Sequence, residues 1–234
     1  MPNKHLSSQF DIELANVCKR LLTMGRMVYE QITYAMHTLH QLDAIDLKKA
    51  LIDEQQINHC ELEIDEICHQ IIALRQPAAY DLRLLIAILK MTGNLERVGD
   101  EALKIIRSNR DIAKASKNSN QFNLLSEISA IGDLAKIILN QSLAAFENMN
   151  ISAAKQILLD DFVLDKEFKI LVREIISQMK EETCSIAVGL DYISIAKAVE
   201  RIGDHAKNIA EFVVYIVQGA DIRHRAYTEA NNSS

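Results

Sequence analysis

Apolar residues recur every three to four positions along most of this chain, the spacing of an amphipathic helix. Breaks in the pattern predict six helices, at about 8–39, 44–74, 79–113, 122–148, 152–182 and 186–218. Pro77 ends the second helix because proline lacks a backbone N–H donor. The core-facing residues of that helix are expected to be Ile57, Ile64, Ile67, Ile71 and Leu74. The pattern therefore predicts an all-α fold.

A polar segment without periodicity, KASKNSNQ at 114–121, divides the six helices into two sets of three. It predicts a linker between a first unit at 1–113 and a second at 122–219, with a polar tail at 220–234. Glu96 and Glu200 stand 200 − 96 = 104 positions apart, each in the third helix of its set. This internal duplication predicts two pseudo-symmetric three-helix bundles, lying side by side or end to end.

Composition supports long helices and narrows the class of protein. Two prolines and seven glycines in 234 residues are few for a turn-rich β architecture. The formal charge of −6, without a large basic cluster, weighs against nucleic-acid binding. The four cysteines form no C-x-x-C pair, which favours reduced thiols in a reducing cytosol. LLIAIL at 84–89 is too short to span a bilayer, so we expect a soluble cytoplasmic protein.

The duplication preserves charged residues as well as apolar ones. NLERVGDEALK at 94–104 matches AVERIGDHAKN at 198–208. Glu96 and Asp100, like Glu200 and Asp204, are four residues apart and so share one face of a helix. Such like-charged pairs weaken an isolated helix by roughly 0.2–0.5 kcal/mol. A cation that binds both carboxylates would explain why this unfavourable pair occurs in both halves. The alternative is that each pair lies on an acidic face that contacts only solvent.

The middle helix of each set offers partners for these carboxylates. Glu54 and Asn58 are four apart in the first set, and Asp161 and Asp165 are four apart in the second. All-oxygen sites suit hard cations such as Mg²⁺, Mn²⁺ or Ca²⁺. Iron and zinc are further candidates, although their sites usually include His or Cys. Both halves of the chain are thus predicted to carry a metal site.

Arginines accompany both acidic motifs. Arg97 and Arg201 follow the glutamates but lie about 100° away around the helix. They are expected either to pair with carboxylates of a neighbouring helix or to bind an anionic partner, and Arg83 is a third candidate for partner binding. The chain has no glycine-rich phosphate loop and no pattern of a catalytic nucleophile. We therefore expect a protein without enzymatic activity; a metal-dependent helical-bundle enzyme and a purely structural bundle are the alternatives.

Several segments resemble the PhoU family, accessory regulators of bacterial phosphate uptake. They are FDIEL at 10–14, LTMGRMV at 22–28, ALRQPAAYDLRLL at 73–85, and the motifs NLERVGD and VERIGD. The resemblance covers nearly the whole chain. It implies two three-helix bundles, often in a homodimer, with metal ions at E/D-x-x-x-D motifs. On this chain the motif positions are Glu54, Asn58, Glu96, Asp100, Asp161, Asp165, Glu200 and Asp204.

The resemblance also implies a function. Members of the family act as negative regulators of phosphate uptake and of the phosphate-starvation response. They are thought to connect the ATPase of a phosphate ABC transporter with a sensor histidine kinase, so that association with the membrane is peripheral and passes through these partners. One position departs from the family pattern, because Asn58 stands where many members have Asp. A neutral amide is a weaker ligand than a carboxylate, so the first metal site is predicted to bind less tightly than the second.

Overall fold

The computed structural model describes residues 8–42, 45–115 and 124–220. These residues form six helices, and the described ranges contain no β-strand. The helices are α1 (Ser8–Thr38), α2 (Leu47–Arg75), α3 (Ala79–Ala115), α4 (Leu125–Glu147), α5 (Ile151–Lys180) and α6 (Ile186–Gln218). The predicted all-α fold is confirmed. Helix α3 runs two residues into the predicted linker, while residues 116–121 of that linker and tail residues from 221 onwards lie outside the described ranges.

Local capping sets several of the helix ends. The side chains of Asp46, Asn150 and Ser185 each accept a hydrogen bond from the backbone N–H three residues later. They thereby satisfy donors at the starts of α2, α5 and α6. At the other end of α6, Gly219 adopts a left-handed conformation with φ of 69° and its N–H bonds to the carbonyl of Tyr215. Glycine takes this conformation without steric cost, so it ends the helix cleanly.

The two three-helix bundles lie side by side. Helices α3 and α6 make the most extensive contact in the fold, and α1 and α4 also touch. Arg83 near the start of α3 reaches Ile216 near the end of α6, whereas Glu101 reaches Arg201, so the two helices are antiparallel. One continuous apolar core joins both halves. Helices α2 and α5 each pack on the helices of their own half, which leaves their opposite faces to solvent.

Glycines at equivalent positions allow α1 and α4 to cross closely. Gly25 and Gly132 are 132 − 25 = 107 positions apart. A Cβ on Gly25 would lie 2.6 Å from Leu143 Cδ1, and a Cβ on Gly132 would overlap the side chain of Met36. Leu143 and Met36 are themselves 143 − 36 = 107 positions apart. The contact is therefore reciprocal between the halves, as a pseudo-two-fold relation requires.

The prediction that Leu74 faces the core is wrong. Its side chain is 79% exposed, whereas Ile57, Ile64 and Ile71 are buried. Steps of seven residues drift by only about 20° around a helix, so these three isoleucines stay on one stripe. Leu74 follows Ile57 by 17 residues, which places it roughly 100° away from that stripe. Ile67, about 80° away, is half-buried for the same reason.

Candidate functional site

The acidic residues of the second half converge where α5 packs against α6. Asp161 and Asp165 of α5 and Asp204 of α6 each place a carboxylate oxygen within 4.8 Å of the others. Glu200 lies one turn before Asp204, and both its oxygens accept hydrogen bonds of 2.6 Å from Lys197. The structure thus brings three of the four predicted residues together and places the fourth beside them. We call these four residues the second acidic site.

A glycine permits this close approach of the two helices. A Cβ on Gly203 would overlap the side chain of Leu164 and would lie 3.2 Å from Asp161 Oδ1. Gly99 is its counterpart in the first half, where a Cβ would lie 3.4 Å from Ile57 and 3.2 Å from the Gln31 side-chain oxygen. Both motif glycines therefore act in helix packing, and that packing positions the neighbouring carboxylates.

Asp161 provides the test of whether a cation fits the second acidic site. Its side chain is only 3% exposed. Its Oδ2 accepts a 2.7 Å hydrogen bond from Lys207, but its buried Oδ1 has no described partner. Leaving a buried acceptor unsatisfied costs about 1–3 kcal/mol, and more when it is charged. A hard cation between the converging oxygens would satisfy it, so the residues present fit such an ion.

Two carboxyl groups of the second acidic site, those of Asp161 and Asp204, have raised pKa values because they are buried close to other carboxylates. Burial, followed by the charges of Glu200 and Asp161, raises the pKa of Asp204 to about 6. Burial also raises the pKa of Asp161, although the hydrogen bond from Lys207 opposes this. Carboxylates in such surroundings carry their negative charge at a cost. A bound cation would remove part of that cost.

The predicted metal-site residues of the first half are less closely grouped than those of the second acidic site. The Asn58 amide donates to Glu54 Oε1 at 2.6 Å, so this pair is bonded to itself. Burial, followed by the charge of Asp100, raises the pKa of Glu96. Burial and then the charge of Glu54 raise the pKa of Asp100, which places α2 and α3 carboxylates near each other. Among the described residues, only the second half brings three carboxylate oxygens within 4.8 Å.

The three candidate partner-binding arginines differ in their surroundings. Arg201 donates to Glu101 of α3 at 3.1 Å, an ion pair across the interface between the halves. Arg83 donates to the carbonyl of Ile216 at 3.4 Å, near the C-terminal end of α6. Arg97 is exposed. Two of the arginines thus have partners within the chain, and a role in binding other proteins stays a prediction for all three.

Sequence reasoning missed the residues that act between helices. Lys207 of α6 forms an ion pair with Asp161 of α5. Asn94 of α3 accepts hydrogen bonds from His205 and Asn208 of α6, at 3.0 and 3.1 Å. The Asn94 Nδ2 donates to the carbonyl of Lys90, and an amide oxygen can only accept, so the His205 Nδ1 carries the hydrogen of this contact. No periodicity within one helix signals such pairs, because they depend on the register between helices. None of the described helices combines the length and apolar character needed to cross a bilayer.

Comparisons with known proteins agree with the architecture. The model of the PhoU domain matches the chain twice, at residues 21–108 and 128–213. A phosphate-specific transport system accessory protein PhoU homolog from a Burkholderia species is 47% identical over 96% of this chain and 95% of its own length. The phosphate-specific transport system accessory protein PhoU of Escherichia coli K12 is 38% identical over 95% of this chain and 90% of its own.

Solved structures show the same fold. The crystal structure of PhoU from Pseudomonas aeruginosa superposes with a TM-score of 0.84 at 36% identity, covering 90% of this chain and all of that one. The phosphate transport system regulatory protein PhoU from Streptococcus pneumoniae gives 0.84 at 29% identity, covering 91% and 99%. These relatives are named as accessory or regulatory proteins and not as enzymes. With two matched domains, relatives of nearly full length and a shared fold, this chain belongs to the PhoU family.

Proposed function

We propose that this chain is a cytoplasmic accessory protein of phosphate transport that restrains phosphate uptake and the phosphate-starvation response. It acts by contact with the ATPase of a phosphate ABC transporter and with a sensor histidine kinase. The observation that carries the proposal is the similarity, over 96% of the chain, to a protein named as a phosphate-specific transport system accessory protein PhoU homolog. The expected homodimer belongs to the same proposal.

Metal ions are proposed to order the acidic surfaces on which such contacts depend. Asp161, Asp165, Glu200 and Asp204 would hold a divalent or trivalent cation, with magnesium, manganese, zinc and iron as candidates. When bound, the ion would supply positive charge among crowded carboxylates. The buried, unpartnered Oδ1 of Asp161 supports this assignment, because the Asp161 carboxylate converges with those of Asp165 and Asp204.

The first half is proposed to bind metal more weakly, through Glu54, Asn58, Glu96 and Asp100. The Asn58 amide supports this difference because it contributes no charge and already donates to Glu54. Titrating Mn²⁺ into Glu96→Ala and Glu200→Ala variants tests the ranking. We expect Glu200→Ala to remove the tighter binding event and Glu96→Ala the weaker one. Equal losses from the two variants would contradict it.

A pull-down tests the regulatory proposal. The full chain would be offered the transporter ATPase and the cytoplasmic part of the kinase, with Mn²⁺ and with a chelator. We expect both to be retained, and more weakly after chelation. In cells, deleting the gene should raise expression of a phosphate-starvation reporter in phosphate-rich medium. Failure to retain either protein under both conditions, with an unchanged reporter, would refute the function.

A further inference from the structure

A groove of about 540 Å³ lies between α4 and α5, apart from both acidic sites. Ile170, which lines it, follows Asp161 by nine residues and therefore lies half a turn around α5 from the carboxylates. Both helices contribute apolar residues to the lining, which also includes three glutamates. The lining residues are Leu124, Glu127, Ala130, Ile131, Leu134, Glu167, Ile170, Leu171 and Glu174.

The outer face of α5 continues this groove as an exposed apolar stripe. Leu159, Phe162, Val163 and Ile170 are between 48% and 70% exposed. Exposed apolar surface of this kind, next to charged residues, is typical of sites where another protein binds. The stripe and the groove together offer one helix-length surface, in which the apolar side chains of a partner would be shielded from water.

The first half shows that this surface is a specific difference between the copies. The offset that relates Glu54 to Asp161 is 161 − 54 = 107, as for the α1 and α4 glycines. By that offset Phe162, Val163 and Ile170 correspond to polar residues of α2, namely Gln55, Gln56 and Glu63. Three of the four stripe positions are thus polar in the first copy, whereas the fourth, Leu159, corresponds to Ile52, which is also apolar and exposed.

The equivalent groove of the first half, about 410 Å³ in volume, is also open, but an ion pair lines it. There Arg20 replaces Glu127, and its guanidinium donates to Glu63 Oε2 at 2.8 Å. In the second half the position of Glu63 is Ile170, so the groove has lost that pair. No cation among the described residues forms a salt bridge with Glu127, Glu167 or Glu174. An arginine thus lines the groove of the first half, whereas the residues that line the second groove include glutamates but no lysine or arginine. Lys166, adjacent in sequence to Glu167, lies on the exposed stripe of α5.

We infer that the α4–α5 groove docks a basic amphipathic helix of a partner protein. Apolar side chains of that helix would enter between α4 and α5, and Lys or Arg beside them would meet Glu127, Glu167 and Glu174. A second copy of this chain fits poorly, because a two-fold contact through this face would bring the same glutamates of both copies together. The inference deepens the proposed regulatory function by naming a surface for a partner, and it rests on that function.

Peptide binding to the full chain tests the inference. The probe is a labelled helical peptide of about 18 residues, five turns, with leucines on one face and lysines on both sides of them. The comparison peptide has the same composition in scrambled order. Fluorescence anisotropy is expected to show binding of the amphipathic peptide only. Reversing two groove charges, in Glu167→Lys with Glu174→Lys, is expected to weaken binding at least about tenfold.

The matched control reverses two exposed charges outside both grooves, in Glu30→Lys with Glu147→Lys, and is expected to change the affinity less than about twofold. Circular dichroism would confirm that both variants keep their helices. Equal binding of the scrambled peptide, or equal weakening in the control, would overturn the inference. So would an Ile170→Glu variant that converts a dimer into a monomer, since the groove would then bind a second copy. Absent peptide binding with an intact pull-down would refute the groove and leave the regulatory function standing.

Discussion

Replacing Asp204 with asparagine is expected to stabilise the metal-free protein while weakening its metal binding. The pKa of Asp204 is raised to about 6, from an ordinary 3.8, chiefly by burial. A difference of this size corresponds to about 3 kcal/mol of unfavourable charge for a fully buried group. Because the side chain is 47% exposed, screening by solvent reduces this to about 1 kcal/mol. Asparagine keeps the shape and removes the charge.

Differential scanning fluorimetry at pH 7, after chelation, measures this effect. A gain of about 1 kcal/mol predicts a rise in Tm of about 2–4 °C for a chain of this size. Asp133→Asn is the matched control, since that carboxylate is 66% exposed and is paired with Lys136, so its charge is not unfavourable. We expect no rise there. Adding Mn²⁺ should raise the Tm of the wild type and raise that of Asp204→Asn less.

The pH dependence has a defined sign. Between pH 3.8 and about 6 the folded protein holds the Asp204 proton and the unfolded chain does not. Lowering the pH from 7 to 5 therefore favours the folded state through this group, and the Tm difference between Asp204→Asn and wild type should shrink. Mn²⁺ affinity should fall about tenfold over the same range, as protons compete for the carboxylate. A lower Tm for the variant at pH 7, with unchanged Mn²⁺ affinity, would refute the reasoning.

Two further substitutions test the packing and the charge balance of the second acidic site. Gly203→Ala should lower the free energy of unfolding by about 1–3 kcal/mol in urea titrations, because its Cβ would overlap Leu164. Gly93→Ala, whose Cβ would have ordinary contacts, should instead raise it by about 0.5–1 kcal/mol, and destabilisation by both would contradict the packing argument. Lys207→Met should lower the Tm after chelation, since it leaves the Asp161 carboxylate buried without its partner. Calorimetry should show tighter Mn²⁺ binding in that variant, and weaker binding would mean that Lys207 supports the ion.

The helices and the duplication could be predicted because their signals are local. Apolar spacing, the proline at 77 and the polar segment from 114 each act within one stretch of chain, and the predicted helices agree with α1 to α6 to within a few residues. The prediction for Leu74 is wrong because a residue can belong to an apolar series without lying on the same stripe of the helix. Its angle from Ile57 shows the difference, since seventeen residues carry it roughly 100° around the helix.

The acidic site could be predicted only in part. Spacing of four residues places Asp161 with Asp165 on one helix, whichever neighbour that helix has. The convergence of Asp204 depends on how α5 and α6 align, and the hydrogen bond from Lys207 depends on the same alignment. Gly203 carried the signal, because a glycine within a helix indicates a close neighbour. The glycine does not indicate which neighbour, because the alignment of α5 against α6 brings Leu164 to this position.

The two copies differ at exposed positions of α2 and α5 but retain equivalent residues at the contacts between helices. Glycines and apolar residues at the contacts between helices recur at constant offsets, so the duplicated core kept its geometry. On the outer helices, Asn58 of the first copy is equivalent to Asp165 of the second, and Glu63 is equivalent to Ile170. Helix α5 therefore carries both the fuller set of carboxylates and the more apolar outer face. Because helix α5 bears both surfaces, an ion bound between α5 and α6 would also fix the position of the proposed docking groove.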